Sequence, residues 1–292
     1  MIALDVDCSP KDLRNIVSGL PQLVPMFFAW KNDPAAMNIA ECLTQLSVEW
    51  RAHCFDPVEI RRLEFENGTA FLVFLRDSPL YCGELIEGLC PKVAVVLSMH
   101  RSEASLASLT VHPTGNIGKA DYGGDPNSLS VAPAMRMKSA LLTMLRSGSR
   151  IAEEFRISYE TTHHGPTVKL PLMFLEIGSS LDEWTNKRAG ESVARAAIRS
   201  AFPDPSHSRI VVGLGGPHYA PFFTQAAIRR DIAVSHMVSY HQLPSLNIGL
   251  LNLLIARTEG KVYGVLLDWK GLRTEKANVL SLLETLDLAF EK

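Results

Sequence analysis

The chain lacks a long apolar run, a paired set of cysteines and an excess of charge of either sign, and each absence removes a class of function. Its densest hydrophobic stretch, Leu23 to Trp30, is far shorter than the roughly 20 residues of a membrane-spanning helix, so no membrane contact is expected. The five cysteines (Cys8, Cys42, Cys54, Cys82 and Cys90) are odd in number and form no C-x-x-C pair. Thiols kept reduced in the cytoplasm explain them better than a disulfide frame does. A net charge of −2, from 29 basic and 31 acidic residues, excludes a polybasic nucleic-acid coat. Any nucleic-acid contact would have to use a local patch. Met1-Ile-Ala-Leu-Asp-Val-Asp7 has no basic segment followed by an apolar one, so it does not read as a secretion signal. There is no internal repeat, no low-complexity segment, no G-x-S-x-G elbow and no H-E-x-x-H helix. Serine α/β-hydrolases and zincin proteases are thereby disfavoured.

What is present is a core-forming α/β pattern. The 292 residues are 47% hydrophobic, enough for one large domain or two of ordinary size. Val24 to Trp30, Thr69 to Leu75, Val93 to Leu97 and Arg209 to Leu214 are continuous apolar runs, the pattern of strands covered on both faces. Ser108 to Val111 and Val262 to Leu267 read as further strands. Helices are predicted from Ser9-Pro10 to Gly19, from Asp33-Pro34, from about Ala132 to Ser147, and from the capping-box spacing Ser180-Leu-Asp-Glu183 onward to Ala201, with a break at Gly190. Later helices are expected at Phe222 to Arg230, Ser245 to Ala256 and Thr274 to Phe290. Alternating elements predict a mixed, mostly parallel central sheet with helices on both faces. The chain reads as a single α/β domain over residues 1–292, with a weak possible boundary at 203–208.

The chemistry concentrates where apolar runs end. Arg156-Ile-Ser-Tyr-Glu-Thr-Thr-His-His-Gly-Pro166 carries Glu160, His163 and His164, and Leu172-Met-Phe-Leu-Glu-Ile-Gly178 brings Glu176. Three other strand-to-loop junctions bear His100, His112 and His218. If the strands are parallel neighbours, these junctions share one edge and converge in one cleft. Imidazoles plus a carboxylate suit a catalytic zinc, which takes three protein ligands and leaves one open position. Read singly, each histidine is better explained as a hydrogen-bonded turn residue; only the four junctions together give a shared site equal weight. Were His163 and His164 both extended, they would point to opposite faces and could not share one ion; a turn at Gly165 relaxes that limit. Glu176 is a ligand, a base or a histidine orienter on the functional reading, and the partner of a cation such as Lys169 on the structural one.

Other candidates surround this group. Gly215 and Gly216, in Gly213-Leu-Gly-Gly-Pro217, suit either an anion cradle or a plain tight turn. Arg136, Arg146 and Arg150 gather within about 80° on one side of the 132–147 helix, as a phosphate contact or a solvated face. Asn116 can donate to a developing oxyanion or simply shape its turn. Lys270 is a surface charge or a substrate contact.

Taken in order, His100-Arg-Ser-Glu103, Thr110-Val-His-Pro-Thr-Gly-Asn116, Glu160-Thr-Thr-His-His-Gly-Pro166, Phe174-Leu-Glu-Ile-Gly-Ser179 with Trp184, and Gly213-Leu-Gly-Gly-Pro-His-Tyr-Ala-Pro221 resemble the archaeal and plant type of D-aminoacyl-tRNA deacylase. Asp33-Pro-Ala-Ala-Met-Asn-Ile39 and Asp268-Trp-Lys-Gly-Leu272 extend the resemblance over nearly the whole chain. It implies a hydrolase that cleaves the ester between a D-amino acid and the 3′ end of tRNA. It also implies a zinc cofactor (Zn2+), a phosphorylase- or peptidyl-tRNA-hydrolase-like fold, and a monomer with no obligate protein partner. The matching polar positions are His100, His112, Asn116, Glu160, His163, His164, Glu176 and His218. Two departures stand out: Ser235-His-Met237 lacks the glycine usual before that histidine, leaving the role of His236 open, and Arg101 stands where lysine is common.

From residue chemistry, the expected metal ligands are His112, His163, His218 and Glu176. The expected catalytic groups are His164, His112, Glu176 and Asn116. Substrate contacts are expected from His100, Glu160, Gly215, Gly216, Arg136 and Lys270. The rival readings are a metal-dependent aminopeptidase, a nucleoside-phosphorylase-like enzyme and a non-catalytic module that binds the tRNA end.

Overall fold

A computed structural model describes residues 23–292 except 56–57, 102–104, 148 and 204–206, so the helix expected before Gly19 lies outside the described residues. The strands are β1 (Pro25–Trp30), β2 (Glu49–Phe55), β3 (Val58–Phe65), β4 (Gly68–Leu75), β5 (Val93–His100), β6 (Ser108–Pro113), β7 (Gly115–Asn116), β8 (Ser128–Leu129), β9 (Arg156–Tyr159), β10 (Leu172–Gly178), β11 (Arg209–Leu214), β12 (Ile232–Val238), β13 (Val262–Leu267) and β14 (Phe290–Glu291). The helices are α1 (Pro34–Leu46), α2 (Gly83–Gly88), α3 (Ala134–Arg146), α4 (Ser149–Glu154), α5 (Leu181–Trp184), α6 (Lys187–Ala201), α7 (Pro221–Arg229), α8 (Ile248–Ala256) and α9 (Lys276–Thr285).

Eight strands form a mixed sheet in the order β2-β3-β4-β1-β5-β10-β6-β9, and four more form a second sheet, β12-β11-β13-β14. In the first, β4, β1, β5 and β10 run parallel as the uninterrupted apolar runs predict. The second sheet is parallel throughout. Helices α1, α3 and α6 pack on one face of the large sheet. The apolar cluster beneath them runs on into the second sheet, joining Phe27, Val95 and Leu175 to Val211, Phe223 and Val234. Short α2 and the stretch around Val168 close part of the opposite face, over Phe28, Val96 and Phe174.

Among the longer strands, β2, β3 and β12 escaped the pattern reading. The β2–β3 hairpin pairs antiparallel and then joins β4, and its sequence is dense in charge because it forms a sheet edge. The ion pairs Arg51–Glu49 and Arg62–Glu64 lie on it, a protection against edge-to-edge association. Strand β12 is buried at all seven positions, but Ser235 and His236 interrupt its apolar run. Two helices also differ from expectation. The segment opening at Ser180 is two helices, because Asn186 caps α6 by accepting from Arg188 and Ala189 N–H. Gly190 is no break: it lies inside α6, where a Cβ would meet the Asn38 amide at 2.7 Å. The last helix ends at Thr285, and Phe290 leaves it to pair β14 with β13.

The candidate active site between the two sheets

Alternation along four adjacent strands builds the site. In β5, β10, β6 and β9, the residues Leu97, Leu175, Ile177, Leu109, Val111, Ile157 and Tyr159 enter the main core. Their neighbours in sequence, Ser98, His100, Glu176, Thr110, His112, Ser158 and Glu160, must point to the other face. Registers put Glu176 opposite both Ser98 and Thr110, and Phe174 opposite His112. A polar stripe therefore crosses the sheet face where the apolar cover of Phe174 and Val96 ends. The expectation of one shared edge of parallel strand ends is corrected here. Strands β6 and β9 are parallel to each other but antiparallel to β10 and β5, so His112 and the Glu160–His164 segment meet His100 and Glu176 from the opposite direction.

The chain leaving β9 carries the site across to the second sheet. Thr161 N–H bonds to the carbonyl of His218 and Thr162 N–H to that of Met237, each at 2.8 Å. His218 follows β11 and Met237 lies in β12, so this segment stitches the sheets together. His164 has φ +43°, a left-handed conformation uncommon for a non-glycine residue. That turn removes the extended-chain limit on the histidine pair. Ring centroids of His112, His163 and His164 lie 4.3 Å (112–163), 5.0 Å (112–164) and 4.3 Å (163–164) apart.

Three overlapping groups could hold a metal ion: His112 with His163 and His164; Glu160 with His163 and His218; and His100 with Glu160 and Glu176. Hydrogen bonding favours the first. His112 Nδ1 lies 3.2 Å from Pro113 O, His163 Nδ1 2.8 Å from Thr161 O, and His164 Nδ1 2.6 Å from Gly165 O. A carbonyl only accepts, so each Nδ1 carries a proton, and Nε2 is the nitrogen that can face a metal when the ring is neutral, as in metal-binding histidines. His112 Nε2 is buried with no hydrogen-bond partner among the described residues. Its nearest carboxylate oxygen, on Glu176, is 3.6 Å away.

Charge is distributed unevenly. Burial works against ionising His100, but Glu176 at 3.2 Å, together with Glu160, overrides it and raises the imidazole to about 9. His112 is raised in the same way, against its own burial, by Glu176 and Glu160. Burial and the neighbouring histidines push His163 well down, and burial with His112 brings His164 to about 4. Both carboxyls are held low despite burial, Glu160 by His218 and Glu176 by His100 and His112. The array therefore pairs two buried anions with protonated His100 and leaves neutral His163 and His164 as ligands or bases.

A cavity of about 470 Å³ opens onto this array and is lined by His100, His163, His164, Glu176, His218 and Phe174. Glu160 is fully buried, 3.1 Å from His218 Nε2, and so sits behind the histidines instead of facing the opening. Asn116 spends its amide N–H groups on Gly123 O and Asp125 O, which makes it a shaper of that loop. Arg136 lies apart: its guanidinium donates to Ser200 O and Ala201 O and pairs with Glu259. Arg136 and Arg146 thus do not make a common phosphate face, since Arg136 is buried and Arg146 exposed. Gly215 and Gly216 pack against the Asp268–Leu272 turn, where a Cβ on Gly216 would meet the Asp268 carboxylate at 2.8 Å. A carboxylate already beside the turn opposes an anion there. Lys270 is exposed in that same turn.

Residue reasoning missed Tyr219, whose hydroxyl lies 2.9 Å from His100 Nε2, and left open the role of His236. The latter contacts Thr162 at 3.1 Å and Arg257 O at 3.0 Å. The available signal was the polar alternation Ser108-x-Thr110-x-His112 and Ser158-x-Glu160, which marks one polar face of a sheet.

Comparison with known proteins places this geometry. The family model described as D-aminoacyl-tRNA deacylase matches residues 88–291. A protein named D-aminoacyl-tRNA deacylase from Thermococcus onnurineus is 36% identical over 276 residues, 89% of this chain and 96% of its own. One of the same name from Thermoplasma volcanium is 37% identical over 271 residues, 91% and 98% of the two chains. A crystal structure described as a conserved protein of unknown function superposes with a TM-score of 0.83 at 25% identity, covering 93% of this chain and 95% of that one. The chain belongs to the D-aminoacyl-tRNA deacylase family.

Proposed function

We propose that this protein hydrolyses the ester joining a D-amino acid to the 3′ end of tRNA, releasing the free amino acid and tRNA. One observation beyond the family carries the reading: a cavity ends on His163 and His164, buried His112 packs against both, and the Nδ1 atoms of all three are anchored to backbone carbonyls. His112, His163 and His164 would hold a zinc ion, a three-nitrogen set of the kind found in catalytic zinc sites. When bound, such an ion polarises an ester carbonyl and makes a water more acidic.

The protein's own groups supply the rest. Protonated His100, bonded through Nδ1 to Glu176 and through Nε2 to Tyr219 Oη, places a fixed positive charge at the cavity wall that stabilises the oxygen on which negative charge develops. His218 is held through Nε2 by Glu160, which leaves Nδ1 as the nitrogen able to take the proton of the attacking water. Phe174 and Pro79 line the cavity beside these groups and limit bulk water. Site residues come from both sheets, in keeping with one functional domain that acts as a monomer. No helix among the described residues is long and apolar enough to cross a membrane. Cys42 and Cys90 form no disulfide, in keeping with work in a reducing cytoplasm.

The test is release of D-tyrosine from D-tyrosyl-tRNA beside the L-ester. Faster release of the D-amino acid supports the reading. Tight tRNA binding with release of neither amino acid would select a non-catalytic tRNA-end-binding module instead.

A further inference from the structure

The loop from Gly118 to Asn127 crosses the mouth of the cavity and is pinned from several sides. Asn116 donates to Gly123 O and Asp125 O, Asn127 Oδ1 accepts Gly118 N–H, and Thr167 Oγ accepts Asp125 N–H. Gly123 has φ +71°, and a Cβ there would sit 2.3 Å from Leu80 O, so only glycine lets the loop press this close. Such a loop is rigid, yet it presents a large aromatic ring to solvent. Tyr122 is 69% exposed and lines the cavity together with His163 and His164. Its carbonyl accepts Gly165 N–H at 2.9 Å, beside His164.

Two exposed aromatics elsewhere have a cation over the ring, and Tyr81, which is 70% exposed, does not line the cavity. Arg61 lies over Trp50 and Lys261 over Tyr263. Among the described residues no cation or ring packs on Tyr122. A ring left bare on a fixed loop, at the rim of a cavity that must admit a nucleotide ester, is a stacking surface.

We propose that Tyr122 is the platform on which the terminal base of the tRNA 3′ end stacks. This rests on the deacylase reading of the same cavity and names the contact by which that substrate is placed. Since Tyr122 is bonded to the residue following His164, a base on its ring keeps its own ribose, and the ester, over the histidines. Stacking on the shared terminal adenosine needs no contact with the rest of the tRNA, which suits an enzyme that must accept many tRNAs. Tyr122 is therefore a positioning residue that acts on binding, separate from the chemical step.

Fluorescence anisotropy with a 5′-fluorescein acceptor-stem minihelix ending in unpaired CCA, and with the same helix lacking the terminal adenosine, tests this without catalysis. Wild type should bind the full end about 5- to 150-fold more tightly, the range of one base stacked on an aromatic ring. Tyr122→Ala should bind the full end as weakly as wild type binds the shortened one, and Tyr122→Phe should retain the preference. The substitution is exposed and leaves folding intact. Wild type without a preference, Tyr122→Ala that keeps it, or Tyr122→Phe that loses it would overturn the proposal. If this pattern holds while wild type releases no D-tyrosine from D-tyrosyl-tRNA, the platform stands and only the deacylase reading falls.

Discussion

The hydroxyl of Thr162 lies 3.1 Å from Nδ1 of His236 and 3.0 Å from the backbone N of Met237. His236 Nε2 lies 3.0 Å from Arg257 O, which can only accept. His236 is therefore neutral with its proton on Nε2, Thr162 donates to Nδ1, and the same oxygen accepts the Met237 amide. Every polar atom of this small buried network has one consistent role. Through it the second sheet fixes the residue immediately before His163, and a separation of 74 positions in sequence becomes a site constraint.

Thr162→Val should therefore disturb catalysis more than its size suggests. It keeps the volume but strands the Met237 amide and His236 Nδ1, a cost of about 1–3 kcal/mol. Loss of a group that orients an active-site histidine should lower kcat about 10- to 100-fold, while Thr162→Ser recovers most of it. Steady-state kinetics on D-tyrosyl-tRNA with parallel urea melts check both parts, and wild-type kcat in Thr162→Val would contradict the assignment.

Burial holds His236 at about 4, below its usual 6.5. The unfolded chain then binds the additional proton first, so this group stabilises the fold above pH 6.5 and loses that contribution as pH falls toward 4. By linkage the loss is about 2 kcal/mol at pH 5. His236→Gln, which cannot titrate, should lose correspondingly less stability between pH 7 and pH 5. Urea midpoints at the two pH values measure the difference, and equal losses in the two proteins would contradict it.

His163→Ala and His164→Ala should each lower deacylation at least about 100-fold, with stability changed by about 1 kcal/mol or less. Both side chains border the cavity, so little packing is lost. Rate assays and thermal melts on the same preparations decide the point. Parallel loss of fold and activity would make these histidines structural.

Arg136→Ala should do the reverse. Its guanidinium ties α3 to Ser200 O and Ala201 O at the end of α6, and removing it leaves buried carbonyls unpaired. Stability should fall by about 2–4 kcal/mol while kcat/KM for D-tyrosyl-tRNA and its salt dependence stay at wild-type values. A changed salt slope with intact stability would restore the phosphate-contact role.

The sequence displayed the parallel heart of the large sheet because strands buried on both faces must be apolar throughout, as in Val93–Leu97. It hid the β2–β3 hairpin, where an edge strand carries charge, and β12, where Ser235 and His236 serve the Thr162 network from inside a strand. The five histidines and two glutamates of the site were visible as residue types. Their convergence was expected from the strand ends, but which of them pair was not, because that depends on the reversal of β6 and β9 and on the left-handed turn at His164. Glu160 and Glu176 both follow apolar strand residues, and only the register places one behind His218 and the other between His100 and His112. Arg136 misled because helical spacing reports which side a residue faces, and α6 already occupies that side.

The most direct test of the site is release of D-tyrosine from D-tyrosyl-tRNA before and after dialysis against a chelator, with the metal content of each sample measured and zinc then restored. The account predicts D-selective release that falls with bound metal, returns with zinc, and does not return in His163→Ala. Full D-selective release from protein shown to hold no metal would contradict the assignment of these histidines as zinc ligands.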